Sequence, residues 1–196
     1  MIRRVIALAL VLLATSACTV ISPVPPITYL QLRSDDPIAP AADTPVVVVG
    51  AIEMPDYLLR DELLRRRSDY TLRYEPYQRW AEPLDLGIQR VIADNLRREL
   101  DSRRVLRYPE ASAAEGVWLL AITVGEFEAV DERVVMRASG RWVSGAAADA
   151  RTAAIVNFDE SRRLEDTTAG EIAGALSALL REFSSALARD FPGRGF

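Results

Sequence analysis

Residues 83–100 read Pro-Leu-Asp-Leu-Gly-Ile-Gln-Arg-Val-Ile-Ala-Asp-Asn-Leu-Arg-Arg-Glu-Leu and predict an amphipathic helix. Pro83 suits the first helical position, where a missing N–H costs nothing, and Asp85 puts a negative charge in the first turn. Leu84, Ile88, Val91, Ile92, Leu96 and Leu100 recur every three or four residues and form an apolar stripe. Gln89, Arg90, Asp94, Arg97 and Arg98 fall on the polar side. What flanks this helix decides the fold class. Before it, residues 46–54 open with four valines, a β-branched run apolar on both faces, as expected of a central strand covered on both sides.

The rest of the chain reads as further strands and one more helix. Residues 27–33 predict a first strand, and 34–45, rich in Asp, Pro and Ala, a loop. Residues 63–67 and 71–74 predict a polar hairpin turning at Ser68-Asp69. The basic run Arg65-Arg66-Arg67 reads as an exposed edge, with contact to acidic headgroups or a partner as the alternative. Residues 115–129 and 133–143 predict a long hairpin turning at Val130-Asp131-Glu132. In its second strand Val134, Met136, Ala138 and Trp142 alternate with Arg133, Val135, Arg137, Ser139 and Arg141, the period of a half-buried strand. Gly125 and Gly140 fit a bulge or a close backbone approach. Residues 151–158 alternate likewise, with Ala154, Val156 and Phe158 on one face. A last helix is expected over 168–190. Thr168 and Glu171 have capping-box spacing, Ile172, Leu176, Leu179, Leu180, Phe183 and Leu187 make the stripe, and Pro192-Gly193 ends it. The order β-β-(ββ)-α-β-β-β-α implies an α/β fold, a mixed β-sheet with two amphipathic helices packed on it.

The N-terminus carries a different signal. Arg3 and Arg4 precede an uncharged apolar run over residues 5–14, too short to cross a bilayer, and then Thr15-Ser16-Ala17-Cys18. Small residues let the chain lie extended in a peptidase groove, and the cysteine offers a thiol for diacylglycerol. The pattern resembles the lipobox of bacterial lipoproteins, except that Thr15 stands where Leu, Val or Ile is usual. Residues 1–17 are therefore expected to be a signal peptide. Residues 18–27 would be a lipidated Cys18, acylated with fatty acids such as palmitate, and a stiff tether containing Pro23, Pro25 and Pro26; residues 28–196 would form one domain. Thr19, rather than Asp, after the cysteine favours an outer-membrane anchor facing the periplasm.

Composition narrows the chemistry. There is no histidine, which excludes histidine general bases, Ser-His-Asp triads and histidine metal ligands, and Cys18 is the only cysteine, which excludes an internal disulfide. The net charge is −4, and cleavage leaves 22 basic against 28 acidic residues, so nothing global attracts nucleic acid. Glu53, Asp56, Asp61 and Glu62 lie close in sequence without metal-loop spacing and read as solvated loop charges. Gly125-Glu126-Phe127-Glu128 reads as a strand end and not as a phosphate loop. No catalytic constellation, metal site or cofactor motif emerges, so no enzyme is expected. One local cluster stands out, residues 77–84, Tyr-Gln-Arg-Trp-Ala-Glu-Pro-Leu. Arg79 and Glu82 are placed to pair across the turn. Trp80 reads either as a core plug where the helix starts or as an anchor for a partner protein, being of a residue type that dominates interfaces.

The lipobox at Cys18, Tyr29-Leu30, Val46 to Val49 followed by Pro55, Tyr57 and Leu58, and Arg79-Trp80-Ala81-Glu82-Pro83-Leu84 running into Ile88-Gln89-Arg90-Val91 together resemble the ABC-type transport auxiliary lipoproteins, the group that includes the paraquat-inducible protein C lipoproteins. The resemblance implies a fold similar to the N-terminal domain of the Tol system's propeller protein. It also implies a non-catalytic accessory role beside ABC transporters or MCE-domain proteins that move lipids or hydrophobic compounds across the envelope. Members can assemble into homo-oligomeric rings. Tyr57, Leu58, Arg79, Trp80 and Glu82 are the partner-binding candidates. The alternative is a lipoprotein that itself holds a lipid or small hydrophobic molecule between helix and sheet.

Overall fold

The computed structural model describes residues 23–34, 41–43, 45–67, 70–109, 118–144 and 151–195. The expected signal peptide, Cys18, the first part of the tether and the Ser68-Asp69 turn lie outside these residues. The described elements run β1 (Thr28–Leu30), β2 (Val47–Glu53), a 3-10 turn (Asp56–Leu58), β3 (Glu62–Arg66), β4 (Leu72–Trp80), α1 (Leu84–Glu99), β5 (Val105–Arg107), β6 (Trp118–Val130), β7 (Arg133–Ser144), β8 (Arg151–Arg163), α2 (Ala169–Arg189) and a closing 3-10 turn (Pro192–Gly195).

All eight strands form one mixed sheet. Its axis is β6, thirteen residues long. β7 lies antiparallel along one side of β6, and β8 continues outward from β7. On its other side the sheet forks. β2 runs parallel to residues 118–123, with β5 parallel beyond it. β3 joins only Ala129 and Val130 at the far end of β6, and it carries β4 and then β1. Both helices pack on the same face: α1 over β2 and β5, α2 over β7 and β8, and the helices touch each other.

The apolar stripes place the helices. Every named stripe residue of α2 is at most 1% exposed, and so are Ile88, Val91, Ile92 and Leu96 of α1. Thr168 caps α2, its hydroxyl accepting from the Glu171 N–H at 3.3 Å, while Asp166 accepts from the Thr168 N–H at 2.8 Å. Gly140 lets α2 approach β7, because a Cβ there would collide with Leu187 Cδ2. Beside it the Trp142 indole N–H donates to the Leu187 carbonyl at 3.1 Å. Gly125 sits at the bulge where the β6–β7 register shifts between Val124 and Glu126. Val47, Val48 and Val49 are buried on both faces, as the valine run required.

Several expectations are corrected. The hairpin is not an exposed edge: β3 lies between β4 and β6, and Leu63 and Leu64 are both buried. Its arginines are engaged. Arg65 pairs with Glu75 at 3.2 Å and donates to the Thr167 carbonyl, and Arg66 turns onto Glu128. β4 extends past Tyr74 to Trp80, because β1 supplies a parallel partner that aligns Tyr29 with Arg79 and Leu30 with Trp80. Gln89 is buried, not on the polar face; its amide donates to the carbonyls of Val49, Gly50 and Tyr108, where the β2 register breaks. Residues 125–128 lie within β6 rather than at its end. β8 continues through the charged residues to Arg163, and β5 has no counterpart in the sequence reading.

Candidate functional site

Residues 55–61 cross from β2 to β3 over the sheet face opposite the helices. Glu128 points there because it alternates with Phe127 and Ala129 in β6. It is only 1% exposed. Arg66 Nε donates to Glu128 Oε1 at 2.6 Å, and Oε2 has no partner among the described residues. Burial pushes the Glu128 carboxyl above the ordinary range, and the Arg66 hydrogen bond offsets this only in part. The Arg66 guanidinium lies 5.7 Å from the Tyr57 ring centre and donates to the Tyr57 hydroxyl at 3.3 Å. That hydroxyl donates onward to the Gly125 carbonyl at 3.2 Å, and burial followed by the Glu128 charge raises its pKa.

From this anchor a connected strip of tyrosines and arginines runs to the β1 edge. The Tyr74 hydroxyl donates to the Tyr57 carbonyl at 3.1 Å, and Arg60 stands 4.9 Å over the Tyr74 ring. Arg60 pairs with Glu62 at 3.5 Å, and Glu62 with Arg79 at 3.9 Å. Arg79 lies beside Tyr29, which is 65% exposed. Leu59 and Tyr77 are also exposed. The strip therefore presents aromatic and guanidinium groups, the types that anchor protein interfaces, with Tyr57 and Tyr74 held by hydrogen bonds.

Of the five candidates read from sequence, Tyr57 and Arg79 lie on this strip. Leu58 and Trp80 lie beneath it in the core; Trp80, 7% exposed and aligned with buried Leu30, is the plug. Glu82 belongs elsewhere. The strand ends when the Trp80 N–H bonds the Asp61 carbonyl and the Ala81 N–H bonds the Leu30 carbonyl. The chain then turns to α1, so Glu82 pairs with Arg90 at 2.5 Å instead of with Arg79. Arg90 also donates to the Leu32 carbonyl, tying helix to edge. Tyr29, Arg60, Tyr74 and Glu128 join the surface without being among the candidates, and Arg66 comes from the basic run whose alternative reading is contact with headgroups or a partner. No local pattern marks them: Tyr74 faces the opposite side of β4 from Arg73 and Glu75, and the β3–β4 register shifts before Arg79, so period-two spacing does not carry across. No group of three or more potential metal ligands gathers among the described residues. A surface groove of about 630 Å³ lies between β1 and α2, lined by Tyr29, Arg33, Gly170, Gly174, Ser177 and Arg181.

Residues 30–188 match the family described as the ABC-type transport auxiliary lipoprotein component. No functionally curated protein matches the chain. Among solved structures, an uncharacterized protein superposes with a TM-score of 0.66 at 20% identity, covering 85% of this chain and 99% of its own. A protein from Xanthomonas campestris gives 0.65 at 16%, covering 84% and 93%. These two share the fold. The PelC dodecamer from Paraburkholderia phytofirmans is more distant, at 0.45 and 13%, covering 84% and 93%. No described helix is long and apolar enough to cross a membrane.

Proposed function

The chain belongs to the ABC-type transport auxiliary lipoprotein components, and from that premise we propose that it is a non-catalytic docking subunit of an envelope transport system. In this reading it is cleaved before Cys18, lipidated there, and held on the outer membrane facing the periplasm. It engages an ABC-transporter or MCE-domain component that moves lipids or other hydrophobic compounds. Several copies associate in the working assembly. The observation that carries the docking reading is the connected strip from Tyr57 through Tyr74, Arg60, Glu62 and Arg79 to exposed Tyr29. Tyr57 and Tyr74 are held by hydrogen bonds before any partner arrives, so that end of the strip loses little rotamer freedom on binding. The strip ends at β1, the strand that follows the tether.

The second reading, a lipoprotein that binds a hydrophobic ligand itself, has one feature in its favour, the groove between β1 and α2. Crosslinking in the native envelope distinguishes the two. Capture of an MCE-domain or ABC-transporter component, lost when Tyr29 and Arg79 are replaced in a chain that still folds, supports docking. Co-purified lipid without any protein partner sinks it. A Cys18→Ser chain checks the anchor separately: it is expected to lose fatty-acid labelling and membrane association.

A further inference from the structure

The sheet has edges of unequal kind. β1 and β5 are three residues each, too short to template another chain. β8 is thirteen residues long and pairs only with β7. Its second half is guarded by exposed Asp159, Glu160, Arg162 and Arg163, the charge pattern that discourages edge-to-edge pairing. Its first half is not. Residues 152–158 carry no charge, and Ile155 is 60% exposed. A long, uncharged edge with an exposed β-branched residue is what strand addition uses.

We infer that this edge pairs antiparallel with the same edge of a second copy, about a two-fold axis at Val156. The inference concerns one two-fold contact between two copies and does not depend on the transport partner. Opposite residues of an antiparallel pair share a face. With the axis at Val156, Ile155 meets Asn157 on the open face. Ala154 meets Phe158 on the helix side, where Phe158 already packs 5.3 Å from Phe183. β8 carries one extra residue at Ala153, because Trp142 aligns with Ala154 and Val143 with Thr152. Carrying that bulge into the new pairing sets Thr152 opposite Asp159 and Arg151 opposite Glu160. Arg151 and Glu160 both lie on the helix side, opposite Ser144 and Met136 respectively in the β7–β8 register. Both are exposed, and the two-fold axis makes the opposite-charge contact twice. Moving the axis to Asn157 sets Arg151 against Arg162 and Ala154 against Glu160. Moving it to Ile155 sets Arg151 against Phe158. Of these three registers, only the one at Val156 sets Arg151 opposite an acidic residue.

The test uses the full chain in detergent carrying Cys18→Ser, so that any introduced cysteine is the only thiol on its chain. Chains with Ile155→Cys and with Asn157→Cys are co-expressed and mildly oxidised. A disulfide-linked dimer joining the two kinds of chain, in excess of homodimers of either, is expected. Sedimentation is expected to show a dimer for the parent chain, weakened at least about tenfold by Ile155→Lys with its circular dichroism unchanged. A parent chain that stays monomeric at every concentration overturns the inference. So does a crosslink that favours homodimers, or a larger ring that Ile155→Lys leaves intact. None of these three results touches the docking reading, which stands on Tyr29 and Arg79.

Discussion

Replacing Arg66 with methionine keeps an apolar stem over Tyr57 and removes the hydrogen bond to the Glu128 carboxylate. The Glu128 side chain is fully buried, while the Arg66 side chain keeps 30% of its surface in water. Breaking a fully buried pair costs about 3–5 kcal/mol; with Arg66 partly solvated and water able to reach the vacated site, a loss of about 2–3 kcal/mol near neutral pH is expected. The pH dependence identifies the cause. Glu128 has a folded-state pKa raised from 4.5 by burial. For such a group, stability is complete below the unfolded pKa and is lost as pH rises through the folded one. Removing Arg66 raises the folded pKa further, and each further unit costs about 1.4 kcal/mol above it and nothing below the unfolded value. The deficit of Arg66→Met against the parent is therefore expected to be small near pH 4 and clearly larger near pH 7, in urea denaturation followed by tryptophan fluorescence. Adding Glu128→Met should restore most of the loss. An equal deficit at both pH values, or a double variant no more stable than the single, refutes the buried-pair account.

The packing and the site make further predictions. Gly140→Ala forces a methyl into Leu187 and should cost about 1–3 kcal/mol in thermal denaturation. Gln89→Leu leaves the Val49, Gly50 and Tyr108 carbonyls without their amide donor and should cost about 1–3 kcal/mol, with faster amide exchange confined first to β2 and β5. Trp80→Ala should cost about 3–5 kcal/mol of stability, and whatever folded protein survives should bind partners as the parent does, since Trp80 lies beneath the surface.

The helices were legible because their burial follows a single period. Each stripe residue from Ile172 to Leu187 faces one core, and the sequence repeats accordingly. β7 was legible for the same reason at period two. Non-local pairing hid the rest. β5 has three residues and exists because β2 offers a parallel edge. β4 reaches Trp80 because β1, about fifty positions earlier, aligns with it. Gln89 is polar by composition and buried by demand, since at the broken register of β2 its amide donates to the Val49, Gly50 and Tyr108 carbonyls. The candidate site divides the same way. Tyr57 and Arg79 were found from local sequence. Arg66 reaching Glu128 spans 62 positions and joins β3 to β6, a contact no local pattern records. The Arg79–Glu82 pair failed because a strand end lies between them.

The account's central claim is that the Tyr29–Arg79 end of the strip is what a transport component binds. It is tested most directly by the affinity of the captured component for purified chain and for Tyr29→Ser, Arg79→Ser and, as a control on the open face of β7, Arg137→Ser. The account predicts that the first two variants bind at least about tenfold more weakly while the third binds like the parent. Unchanged affinity in both strip variants would contradict it.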